Sequence, residues 1–181
     1  LMVVFRSIWV PLIAALGFAL SVVATFGITV LIWQEGFAGL VSDPQPLISQ
    51  LPIILIGIVF GLAMDYQVFL VTRMREGYHH GMNAGPAVVY GFKHGARVVT
   101  AAALIMISVF AAFMFMDQQL IKVIGFALAT AVLFDAFIVR MTIIPATMFL
   151  LDARAWSIPR WLGRLLPNVD IEGEKLTSGL A

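Results

Sequence analysis

Cysteine is absent from the chain, which excludes disulfides and thiolate metal sites and leaves the redox compartment open. Charge is scarce: only 12% of the 181 residues are charged, and the formal net charge is +1. That net charge is too small to suggest nucleic-acid binding. The glycines around 36–39 and 81–85 are not followed by Lys-Ser/Thr, so the chain has no nucleotide-binding P-loop. There is no internal repeat. Position 1 is Leu, inside an apolar run with no charged leader before it. This reads as a piece of a longer protein rather than as a signal peptide and mature chain.

What is present is apolar. Hydrophobic residues make up 61% of the chain and the mean hydropathy is +1.01. Soluble domains are about 45–50% apolar and about 25% charged, so the composition is that of an integral membrane protein. The expected fold is all-α, a polytopic membrane helix bundle. Candidate spans fall at 9–33, 51–72, 98–116 and 120–151, each long enough to cross a hydrocarbon core of about 30 Å. Residues 1–5 read as the end of an earlier helix, closed by Arg6 and Ser7. Residues 1–151 form the membrane part, and 152–181 an interfacial and polar tail, with Trp156, Arg160, Trp161 and Arg164 mixed as in a helix lying at a membrane surface.

Two further expectations concern the middle of the chain. Residues 83–96 suggest a short surface helix, with Asn83 as N-cap, Pro86 in the first turn, and Gly91 and Gly95 limiting its stability. Arg97 then marks the membrane surface. Residues 120–151 suggest a span that continues along the surface after Arg140, bent at Pro145. Basic residues crowd one side: Arg6, Arg73, Arg75, Lys93, Arg97, Arg154, Arg160 and Arg164. The other side has Glu35, Asp43 and Asp117, with Lys122 as its one basic residue. Basic loops remain in the cytoplasm, which predicts a multi-pass protein with a cytoplasmic C-terminus and a cytoplasmic His79 loop.

The chemistry centres on residues 51–73, LPIILIGIVFGLAMDYQVFLVTR, an apolar helix with Asp65 in its middle and Tyr66 next to it. A carboxylate at that depth is costly unless protonated, paired or facing water, and so marks a functional site. Gly57 and Gly61 precede Asp65 by two turns and one turn on the same face, a GxxxG spacing that lets a second helix approach. The plain alternative for Asp65 is a cap or a pair with another helix. The functional one is a proton carrier, since burial and a nearby cation or water path move a carboxyl between loaded and unloaded states. Tyr66 is suited to hydrogen-bond an acid on a facing helix, or serves as a core aromatic.

Asp135 is the second acid within a span, either a relay member or a structural acid. Arg140 follows five residues later, and an α-helical register puts the two on nearly opposite faces, predicting that they do not pair. Thr100 and Ser108 share a helix side within about 80° and read as packing hydroxyls bonded back to carbonyls, or as members of a hydrated relay. His79, His80 and His94 lie in a basic stretch with only Glu76 nearby, which favours a solvated loop over a metal site.

The stretch FGLAMDYQVFLVTRMREGY (60–78) resembles the tenth-helix block of the MmpL transporters, a branch of the resistance–nodulation–division (RND) superfamily. RVVTAAALIM (97–106), FDAFIVRMTIIPA (134–146) and PRWLGRLLPNVDIEGE (159–174) resemble later blocks of that family in order. The resemblance implies RND-type helices, the end of helix 8 plus helices 9 to 12. It also implies a secondary active transporter rather than an enzyme, exporting lipids or lipid-like molecules across the cell membrane on the proton gradient, with no cofactor. The implied partners are membrane lipid, a lipid-like substrate, and the remaining helices and porter domains of the full-length transporter; nucleic acid is not among them. By motif position Asp65 and Tyr66 match one of the family's two Asp-Tyr relay pairs, and Asp135 matches the twelfth-helix acid. Gln67 departs from the acidic residue of many relatives. A non-transporting lipid sensor or assembly subunit of RND type is the alternative. An intramembrane aspartyl protease would also use two acids but needs a GxGD stretch, which GLAMD does not supply.

Overall fold

The computed structural model describes residues 7–39, 41, 44–79 and 82–151, with the side chains of Ala38 and His79 outside that description. The expected helix end at 1–5, Arg6, Asp43, His80 and the whole 152–181 tail also lie outside it. Among the described residues the structure is helical and without strands. Helix α1 (Trp9–Thr29) runs into a π-helical end at Val30–Gln34. Helix α2 is Leu51–His79 and α3 is Ala84–Ala112. Helix α4 (Gln119–Leu133) continues through a π-helix, Phe134–Ile143, into α5 (Ile144–Leu151). Four helical stretches among the described residues are long and apolar enough to cross a membrane: Trp9–Gln34, Leu51–Tyr78, Ala84–Phe115 and Gln119–Leu151.

The bundle differs from the sequence reading in two places. The short helix expected at 83–96 is the first half of one continuous α3, with Asn83 at its N-cap by backbone conformation only. Its glycines explain why it does not stop. A Cβ on Gly91 would strike the Met74 backbone of α2, and one on Gly95 would meet Leu70 Cδ1 at 2.9 Å. Gly91 and Gly95 are themselves a GxxxG pair, and they let α3 lie against α2 at backbone distance. The second difference is that the last stretch does not turn onto a surface after Arg140. It remains one helical rod through Leu151, with Arg140 buried inside the bundle.

The packing of α2 follows a four-residue rhythm. Leu51, Leu55, Val59, Ala63 and Gln67 are all buried, and Leu70, Val71 and Met74 continue the stripe. One end of this stripe joins a cluster with Trp33, Val123, Ala127, Leu128 and Ala131. The other joins Val10, Val88, Val139, Ile144 and Met148. Ala63 and Gln67 fall between the two clusters, halfway along the bundle.

Candidate functional site

Asp65 lies two residues from both Ala63 and Gln67, about 200° around the helix from each buried position. It is therefore exposed on the face of α2 turned away from α1, α3 and α4. Gly57 and Gly61 share that face, and a Cβ on either would meet nothing within 4 Å. No second helix among the described residues sits against them. Asp65 has no ion-pair or hydrogen-bond partner among the described residues either.

Tyr66 points the other way around the helix and is half-buried. Its hydroxyl donates to Met106 Sδ of α3 at 3.3 Å rather than to an acid. Its ring lies beside the Arg140 guanidinium, 5.4 Å from Cζ to the ring centre. That is within cation–π range, and the low dielectric strengthens the contact. Tyr66 thus touches the charge pair in the core from the Asp65 helix.

The pair is Asp135 and Arg140, whose Oδ2 and Nη2 are 2.6 Å apart. Here the expectation that they do not pair is corrected, because the helix is not α-helical at this point. In the π-helix of Phe134–Ile143 the backbone hydrogen bond itself joins residues five apart, which stacks position 140 over 135. The Thr142 hydroxyl follows the same register, bonding the Phe137 carbonyl five residues back at 3.0 Å. Pro145 is the local signal that was available: it has no N–H to give to the preceding turn, which loosens the α ladder there.

Arg140 is 1% exposed and Asp135 7%. Nη2 of Arg140 also donates to the Ala63 carbonyl of α2, so one nitrogen ties the last helix to the middle of α2. Nε and Nη1 are buried without a partner. Each bare donor of that kind costs about 1–3 kcal/mol. Beside them is a cavity of about 10 Å³, lined by Ala14, Phe18, Ala63, Met64, Gln67, Asp135, Val139, Arg140 and Ile144. Sequence reasoning missed Arg140 as the partner and Gln67 as a buried residue. For Gln67 the signal was present in the stripe that begins at Leu51.

Of the remaining candidates, Thr100, Ser108 and His94 lie among the described residues. Thr100 and Ser108 bond back to the Ala96 and Leu104 carbonyls at 2.8 and 2.7 Å, as packing hydroxyls do. His94 stacks on Tyr90 and contacts its carbonyl at 2.8 Å. No group of three metal-ligating side chains occurs among the described residues.

Comparison with known proteins places the chain in a family. "Membrane protein YdfJ" of Bacillus subtilis is 54% identical over 180 residues, covering 98% of this chain and 25% of that protein. "Heme uptake protein MmpL11" of Mycobacterium tuberculosis is 39% identical over 174 residues, covering 95% of this chain and 18% of that protein. "Trehalose monomycolate exporter MmpL3" of Mycolicibacterium smegmatis is 40% identical over 163 residues, 89% of this chain and 16% of that protein. The chain thus spans a quarter or less of the length of these relatives. The family model described as MMPL family matches residues 1–166, more than half of the chain, and the chain belongs to that family.

Proposed function

We propose that this chain supplies the proton-relay helix of a transporter that exports lipids or other hydrophobic molecules on the proton-motive force. The observation that carries the reading is the position of Asp65. It is a carboxylate midway along an apolar span, on the face opposite the helix's own packing stripe. An ionisable group so placed belongs to a pathway or to a partner helix. The open glycines one and two turns away leave room for such a helix, which the longer relatives have the length to provide.

In this mechanism Asp65 takes a proton from the outer side. Its neutralisation ends its attraction to a partner group, and the helices shift. The Tyr66 ring and the Ala63 carbonyl pass that movement to Arg140 and so to the last helix. Release to the cytoplasm resets the site. Asp135 serves in this scheme to hold Arg140 in place. Two relatives, one named for trehalose monomycolate export and one for heme uptake, support a large, mostly apolar substrate.

The test uses the full-length transporter that carries this chain, in proteoliposomes with an imposed proton gradient and a lipid-export readout. Asp65→Asn, once shown to insert and fold normally, is expected to lose gradient-driven export. Export at the native rate would leave Asp65 as a structural residue. The proposed orientation places the loop after α2 and the C-terminal tail in the cytoplasm. This chain contributes no cysteine, so cysteines introduced singly at Gln118 and His79, against an otherwise cysteine-free transporter, test it. A membrane-impermeant maleimide added outside is expected to label the first and spare the second.

A further inference from the structure

Three polar residues converge on the small mid-bundle cavity: Gln67 of α2, and Asp135 and Arg140 of the π-helix. Gln67 is 3% exposed and sits on the buried stripe, where each of its neighbours at four-residue spacing is apolar. Nη2 of Arg140 is taken by Asp135 and by the Ala63 carbonyl, while Nε and Nη1 are buried with no partner. A guanidinium presents donors only, so its free edge needs an acceptor. A cavity of about 10 Å³ is close to the smallest that admits one water, and a water held in protein needs two to four polar neighbours. The cavity supplies both conditions. Its other walls are Ala14, Phe18, Ala63, Met64, Val139 and Ile144, which offer no competing side-chain charge.

We infer that this cavity is a binding site for a single water, which accepts from the free edge of Arg140 and is fixed by the Gln67 amide and the Asp135 carboxylate. Gln67 is then a positioning residue. It sets the water, the water completes the guanidinium's hydrogen bonds, and Arg140 is held beside the Tyr66 ring and pointed at the Ala63 carbonyl. This explains why an amide occupies a stripe that is otherwise apolar. It also explains how a nearly fully buried arginine keeps its orientation with only one of its nitrogens bonded to protein.

The experiment is a structure of the full-length transporter in lipid nanodiscs at a resolution that shows ordered water, for the native protein, Gln67→Leu and Gln67→Glu. The native protein is expected to show one water within hydrogen-bond distance of Arg140 and Gln67. Gln67→Leu keeps the volume and removes the amide; the water density is expected to vanish and Nη2 of Arg140 to leave the Ala63 carbonyl. Gln67→Glu is expected to rescue the arginine's position, its carboxylate taking the free guanidinium edge directly. A dry cavity in the native protein would overturn the site. A water and an Arg140 position unchanged in Gln67→Leu would overturn the role of Gln67. Should Gln67→Leu fail to insert, Gln67→Glu decides: a carboxylate turned away from Arg140 would overturn the inference. None of these readouts uses export, so they stand apart from the relay test.

Discussion

Asp65 and Asp135 are both acids in the middle of apolar helices, yet the bundle treats them in opposite ways. Asp135 is enclosed, 2.6 Å from Arg140, and its partner is anchored to a neighbouring backbone carbonyl. Asp65 is turned outward, beside two glycines with open space around them. The enclosed acid belongs to a completed structural unit; removing its partner leaves a bare buried charge, a severe penalty. The open acid has no such role within these helices. The proposed relay rests on that exposed position.

Four measurements bear on this contrast. The largest effect is expected from Asp65→Asn in the reconstituted transporter, with gradient-driven export falling to the level of protein-free vesicles while the helices remain assembled. If Asp135→Asn abolished export and Asp65→Asn did not, the two acids would exchange roles. Next is Arg140→Ala, which strands Asp135 in the core and is expected to destabilise the protein by about 3–5 kcal/mol. Denaturant or thermal unfolding reads this loss, and pairing the change with Asp135→Leu should recover most of it. A loss that the double variant did not recover would mean that the pair is not the unit described.

The two glycine pairs repeat the comparison on a smaller scale. Gly91→Ala pushes a methyl into the Met74 backbone and is expected to cost about 1–3 kcal/mol, as overpacking does. Gly61→Ala meets nothing in these four helices. A comparable loss there in the full-length protein would reveal a helix seated on the Asp65 face, and no loss would show that face to be lipid or water. The smallest change is expected from Tyr66→Phe. It removes the hydroxyl contact to Met106 Sδ, at about 0.5–1.5 kcal/mol or less, and keeps the ring beside Arg140. Tyr66→Ala, which also removes the ring, should cost more; equal losses would exclude the cation–π contact.

Much of this was legible from the residues alone. The four spans follow from long apolar runs, and their number survives even though the third begins earlier than expected. Misreading α3 came from treating Gly91 and Gly95 by helix propensity. Propensity is a weak preference that packing overrides, and the same two glycines are what allow α2 and α3 to touch. The pairing of Asp135 with Arg140 was hidden for a similar reason. It depends on a π-helical register, which an α-helical reading of the spacing does not contain.

By itself the sequence determined a membrane-spanning all-α chain and put two acids and one arginine within apolar helices. It did so because charge and hydropathy are local properties, read residue by residue against the thickness of a bilayer. Only the tertiary structure decided which acid is paired and which glycines carry a helix contact. Those outcomes turn on helix register and on which neighbour occupies each face. A shift of one or two positions around the helix reverses them without any change in composition.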